Sequence, residues 1–226
     1  MSKRLRAAAG SRSGAGAESR TRACRRVPIG VTIVTVPGLR GPVEDHWQTR
    51  LEAVLPAVRP VEPIGRDRFD LDERVAGVQQ VLEGIDGPVA LVAHSAGVIT
   101  TVHWAIHHHR PIQGALLATP PDLASPLPPE YPTIETLRMH GWLPIPTSSL
   151  PFPSIVAASS NDPLGDPARI RDLAAAWGSR FVELGTVGHL NPASGYGEWA
   201  LAIDLVQYLT SSWLGQTTYP HLSPNL

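Results

Sequence analysis

The sequence predicts an α/β fold, a mostly parallel sheet of about six strands with helices on both faces. Two observations carry this prediction. Short, continuous apolar runs rich in β-branched residues recur from residue 31 onward, as expected of strands buried on both faces. Stretches of helical character and helical length separate them, which suits crossover connections between parallel strands. The chain has 226 residues, 42% of them hydrophobic and 17% charged, which is ample for one large core.

The elements follow in order. "VTIVTV" (31–36) is the first strand, and 44–56 is a helix. "AVRPVE" (57–62) is a weaker strand, interrupted by a proline, and 70–84 is helical. "PVALVA" (88–93) leads through a sharp turn into a helix over 96–109, and "GALLAT" (114–119) follows as a strand. "PSIVAAS" (153–159) and "RFVEL" (180–184) complete the strands, with helices over 167–177 and 197–213. The start of the helix at 167 is marked, because Asp166 is placed to cap it and Pro167 occupies its first position. Residues 120–153 hold ten prolines, too many for regular structure over most of their length. A lid-like excursion over one end of the sheet is expected across 120–152.

Charge and cysteine content exclude several classes. Residues 1–27 carry eight Lys and Arg against one Glu, a charge of +7, so the rest of the chain holds −8 of the net −1. A mildly acidic body offers no basic face for nucleic acid. No run approaches the roughly 18 apolar residues of a membrane span. Cys24 is the single cysteine, so an internal disulfide and a cysteine zinc cluster are both out of reach. A reducing, cytoplasmic setting is expected. The leader 1–27 is rich in Arg, Ser, Gly and Ala and is expected to be disordered. Its composition also suits a transit peptide, and Arg25-Arg26 suits a twin-arginine signal. The expected organisation is leader 1–27, folded body 28–215 and tail 216–226.

Chemistry concentrates at "LVAHSAGV" (91–98). A serine on a sharp strand-to-helix turn, with small residues two positions either side, is a nucleophile elbow. Gly97 fits at +2, and Ala93 adds one methyl at −2. By itself the pentapeptide also fits a serine that only caps a helix. A serine hydroxyl needs an imidazole to take its proton and a carboxylate to orient that imidazole. Asp162 stands just past the strand 153–159, at the sheet edge where catalytic groups gather. Asp166 is the rival acid, with capping as its structural role. His189 lies in the loop "GTVGHLNPASG" after the last strand and is the only histidine between Asp162 and His221. The backbone N–H groups of Ala96 and Leu39 are candidate oxyanion donors, Leu39 from the loop "PGLRG", where Gly38 and Gly41 allow unusual backbone angles. His94 is taken as a pocket-lining residue. His103 and His107, spaced i, i+4, can pair on a metal, but no third ligand accompanies them. No metal or other cofactor is expected.

The stretches "PGLRGPVEDHWQ", "VAHSAG", "ASSNDP" and "LAAAWGSRFVELGTVGHLNPASGYGEW", in this order, resemble the retinoblastoma-binding-protein-9 and YdeN-like family of small α/β-hydrolases over roughly residues 30–210. The resemblance implies a serine hydrolase on a minimal α/β-hydrolase fold, with Ser95, Asp162 and His189 as its triad. Asp45-His46-Trp47 matches the family's Asp-His-Trp, and Trp47 joins His94 as a candidate pocket residue. Pro37 departs from the His that relatives often carry before the glycine. The L-x-C-x-E stretch by which one member was named for binding the retinoblastoma protein is absent. The expected reaction is hydrolysis of a small carboxylic ester. The alternatives are amide or peptide cleavage on the same triad, or a non-catalytic protein-binding module on a hydrolase fold.

Overall fold

The computed structural model describes residues 30–211. The expectations for the leader, Cys24, His221 and the tail therefore fall outside the described residues. Six strands, β1 (Thr32–Val36), β2 (Val58–Pro60), β3 (Val89–His94), β4 (Gly114–Ala118), β5 (Ser154–Ala158) and β6 (Arg180–Glu183), form one sheet. Every pairing is parallel, in the order β2-β1-β3-β4-β5-β6. The proline in β2 is tolerated because that strand lies at the sheet edge and pairs with β1 alone.

Strand alternation divides the core into two layers. On one face Val34, Leu91, Leu117 and Val156 pack with residues of α2 (Leu71–Glu83), α3 (Ala96–His107) and α5 (Pro167–Ala176). On the other, Ile33, Val92, Leu116 and Ile155 meet α1 (Trp47–Val54) and α6 (Ala200–Ser211). The central strands β3, β4 and β5 are buried throughout, which explains why they read as unbroken apolar runs.

The strand order reverses direction around β1, since β2 lies on one side of it and β3 on the other. The crevice at the C-terminal ends of β1 and β3 is the switch point where such sheets bind ligands. Gln48 bolts α1 to this point, its side-chain amide donating to Val36 O at 3.2 Å and Val92 O at 3.0 Å.

The proline-rich excursion holds one regular element, the six-residue α4 (Ile134–Met139), capped by Thr133. It fits between Pro132 and Pro144, and prolines leave room for little more. The excursion is also anchored. Leu137, Trp142, Leu150 and Phe152 join the core, Trp142 Nε1 donates to Phe69 O, and Trp177 Nε1 donates to Pro146 O at 2.7 Å. Among the described residues no helix is long and apolar enough to cross a membrane.

Candidate active site

Ser95 stands between β3 and α3 with φ 57° and ψ −127°, a left-handed geometry that a serine adopts only under constraint. The surroundings supply that constraint. Ser95 N donates to Ala118 O at 2.9 Å, and Val98 N returns to Ser95 O at 2.9 Å. A Cβ at Gly97 would lie 2.3 Å from Val36 O and 2.6 Å from Pro37 O, so the helix can approach β1 this closely only with glycine at +2. Ala93 at −2 is fully buried in the core, and its methyl is accommodated there. The capping reading fails on one point. Ser95 occupies the cap position of α3, yet its side chain makes no capping hydrogen bond; Oγ stands 2.8 Å from His189 Nε2 instead.

His189 in turn meets Asp162. Its Nδ1 lies 3.0 Å from Oδ1 and 2.9 Å from Oδ2, and both side chains are 4% exposed. A carboxylate there holds the ring proton on Nδ1, which leaves the Nε2 lone pair facing the serine hydroxyl. Asp162 Oδ1 also accepts from Leu164 N at 2.9 Å. The rival carboxylate, Asp166, caps α5 through Ala168 N and Arg169 N. Asp162 thus faces the imidazole, and Asp166 caps a helix.

Several groups that hold this arrangement escape sequence reasoning. The His189 loop is pinned by Ser194 Oγ, which accepts from His189 N at 3.0 Å, and by Asn161 Oδ1, which accepts from Gly188 N at 2.7 Å. From below, His94 Nε2 donates to His189 O at 3.0 Å. Arg74 Nη2 donates to Leu39 O at 2.9 Å and so fixes the loop after β1. Polar residues at unrelated positions in the chain give no sign of meeting until the sheet brings them together.

The two pocket expectations need correction. His94 and Trp47 are buried behind the site, 4% and 2% exposed, and do not line the cavity at Ser95, whose walls include Leu39, Ala96, Leu127, Tyr131 and Trp142. Because β3 still runs at residue 94, alternation turns that side chain to the α1 face, where it packs tilted against His46 and edge-to-face with Trp47. Burial, followed by repulsion from His189, holds the His94 ring well below the usual histidine range. The same causes push His46 down to about 4. Both rings are therefore neutral near pH 7.

The loop after β1 lies close against Ser95. A Cβ at Gly38 would lie 3.2 Å from Ser95 Cβ, so the glycine serves close approach; only Gly41, at φ +74°, uses left-handed backbone. Leu39 and Ala96 both border the cavity beside Ser95. His103 and His107 lie on α3, and no cluster of three or more metal-ligating side chains occurs among the described residues.

Comparison with known proteins agrees with this architecture. The family model described as serine hydrolase matches residues 33–208. A YdeN-like hydrolase from Pectobacterium atrosepticum is 28% identical with a TM-score of 0.70, covering 81% of this chain and 92% of its own. The ydeN gene product of B. subtilis is 16% identical with a TM-score of 0.62, covering 80% of this chain and 99% of its own. Est1E from Butyrivibrio proteoclasticus, at 12% identity and a TM-score of 0.60, covers 85% and 90% and shares the fold. No curated protein matches the sequence. The chain belongs to the serine hydrolase family, and within it resembles the small YdeN-like hydrolases on an α/β-hydrolase fold.

Proposed function

We propose that this hydrolase cleaves a carboxylic ester through an acyl-serine intermediate, with Ser95 as nucleophile, His189 as general base and then acid, and Asp162 as the group that orients and stabilises the imidazole. One geometry carries the proposal: an unbroken hydrogen-bonded chain from Ser95 Oγ to His189 Nε2 at 2.8 Å and from Nδ1 to Asp162 at 2.9 Å. It starts at an elbow whose serine makes no capping bond.

In the first step Ser95 Oγ attacks the ester carbonyl carbon while its proton passes to His189 Nε2. The carbonyl π electrons move onto oxygen, where the N–H groups of Ala96 and Leu39 serve as donors. Collapse of the tetrahedral adduct breaks the bond to the alkoxy oxygen, which leaves with the proton from Nε2. Water then repeats the sequence on the acyl-enzyme, giving the acid and restoring Ser95. His94 and His46, both neutral, leave His189 as the ring of the cluster that takes up the proton. An alkoxide is a better leaving group than an amide nitrogen, so an ester asks less of a single imidazole acid.

The test is Ser95→Ala. Turnover of a short-chain ester is expected to fall by on the order of 10⁴–10⁶, and labelling by a fluorophosphonate probe should disappear, with the thermal transition retained. Full turnover by the purified variant would remove Ser95 from the mechanism. Faster cleavage of amides than of matched esters by the parent would reassign the substrate class.

A further inference from the structure

Two cavities lie under the proline-rich excursion, and they differ sharply in size. The one at Ser95 has about 20 Å³ of free volume and walls that are almost entirely apolar. That is room for little more than one water molecule or methyl group. The other, between the excursion and α5, is an open groove of about 580 Å³. Ile134, Leu143, Ile145 and Leu173 form its apolar walls. A single residue, Leu123, borders both.

Leu123 is held in place by an unusual local structure. It is 3% exposed and has φ +50°, a conformation that leucine avoids. The neighbouring Asp122 fixes it there. Asp122 Oδ1 accepts from Ala124 N at 2.7 Å and from Ser125 N at 3.4 Å, and Oδ2 accepts from Asp166 N at 2.8 Å. Asp122 N donates to Leu164 O at 3.2 Å. The carboxylate ties the turn to the segment that begins α5, so the leucine side chain is a fixed partition.

The cavity is on the acyl side of the site. Ser95 and both oxyanion candidates line it, whereas His189, which must face the leaving group, does not. We infer that Leu123 sets the acyl length that this hydrolase accepts, by separating the small cavity at Ser95 from the groove beyond it. The inference rests on the ester-hydrolase reading of the same site. The substrates it assigns are esters of acids about the size of acetate or propionate. The groove becomes available to an acyl chain only when the partition is removed.

The experiment measures kcat/KM of the full chain for p-nitrophenyl acetate, butyrate, hexanoate and octanoate. The parent is expected to prefer acetate over hexanoate by about tenfold or more, since one unaccommodated methylene can cost that much. Leu123→Ala should raise the ratio of the octanoate to the acetate value by at least about tenfold. Leu123→Gly, which suits the positive φ, is the second variant and should do the same; thermal unfolding confirms that each is folded. Adding Ala176→Trp, which fills the groove, should cancel the gain. A parent that prefers octanoate, or folded Leu123 variants with the parent's profile, would overturn the partition alone. A parent that neither turns over any ester nor labels at Ser95 would overturn the hydrolase reading and the partition with it.

Discussion

At the scale of residues, the site works by giving chemically similar groups different jobs through their surroundings. Asp162 and Asp166 are four positions apart, but one faces the Nδ1 of a buried imidazole and the other caps an exposed helix start. Asp162→Asn removes the charge that holds the His189 tautomer, and kcat is expected to drop by on the order of 10⁴. Asp166→Ala should leave kcat nearly intact and cost about 1 kcal/mol of stability, a fall in Tm of roughly 2–4 °C. Ester kinetics and thermal unfolding of both variants check the assignment; equal losses of kcat would mean that the carboxylates had been distinguished wrongly. Histidines divide in the same way. His189 is held between an acid and a hydroxyl, while His94 and His46 are buried neutral and serve as supports.

At the scale of elements, what matters is how closely α3 approaches the end of β1. Glycine at 97 permits that approach, and Gln48 locks α1 to the same strand ends. In Gly97→Ala the new methyl would overlap the backbone oxygens of Val36 and Pro37. Neither is a flexible side chain that could give way, so the helix or the strand end must shift. A loss of about 1–3 kcal/mol is expected. Because the shift moves Ser95, kcat/KM should fall by on the order of 10². Circular dichroism melts and ester kinetics read the two effects separately, and a variant with parental Tm and activity would show that the elbow tolerates a side chain there. The excursion shows the same dependence on packing. Its prolines limit it to one short helix, yet Trp142 and Trp177 fasten it to the core.

For the whole molecule, the buried histidine cluster links stability to pH. His46 in the fold titrates at about 4, and an unfolded histidine near 6.5. Between these values the unfolded chain binds a proton that the folded chain refuses, so stability falls as pH drops from about 6.5 to about 4. The cause is local as well: His46 Nδ1 accepts from Gln48 N at 3.2 Å, and a proton on Nδ1 would abolish that bond. At full extent the loss from His46 is roughly 3 kcal/mol, and His94 adds to it in the same direction. Denaturant unfolding between pH 7.5 and 4.5 should show this decline. His46→Asn keeps a capping acceptor and cannot titrate, so its slope should be shallower by up to one proton. An unchanged slope would place the acid sensitivity elsewhere.

Sequence alone determined most of the architecture and singled out the three residues proposed to react, because each leaves a local signature. Doubly buried strands read as unbroken apolar runs, and β3, β4 and β5 lie on such runs; the edge strands β2 and β6 carry charged residues and read more weakly. Ser95, Asp162 and His189 each follow a strand end, in the chain order that such sheets impose. Tertiary structure decided what depends on distance through space. That Ser95 meets an imidazole and does not cap its helix needed the 2.8 Å contact to a residue 94 positions away. The supports Arg74, Asn161, Ser194 and Gln48 are polar residues whose partners lie on other elements. His94 and Trp47 turned inward because β3 continues one residue beyond the apolar run and α1 closes over it. The cavity at Ser95 also took its walls from tertiary structure. They come largely from the proline-rich segment, whose course is set by where Trp142 and its leucines find the core, and no local periodicity encodes that.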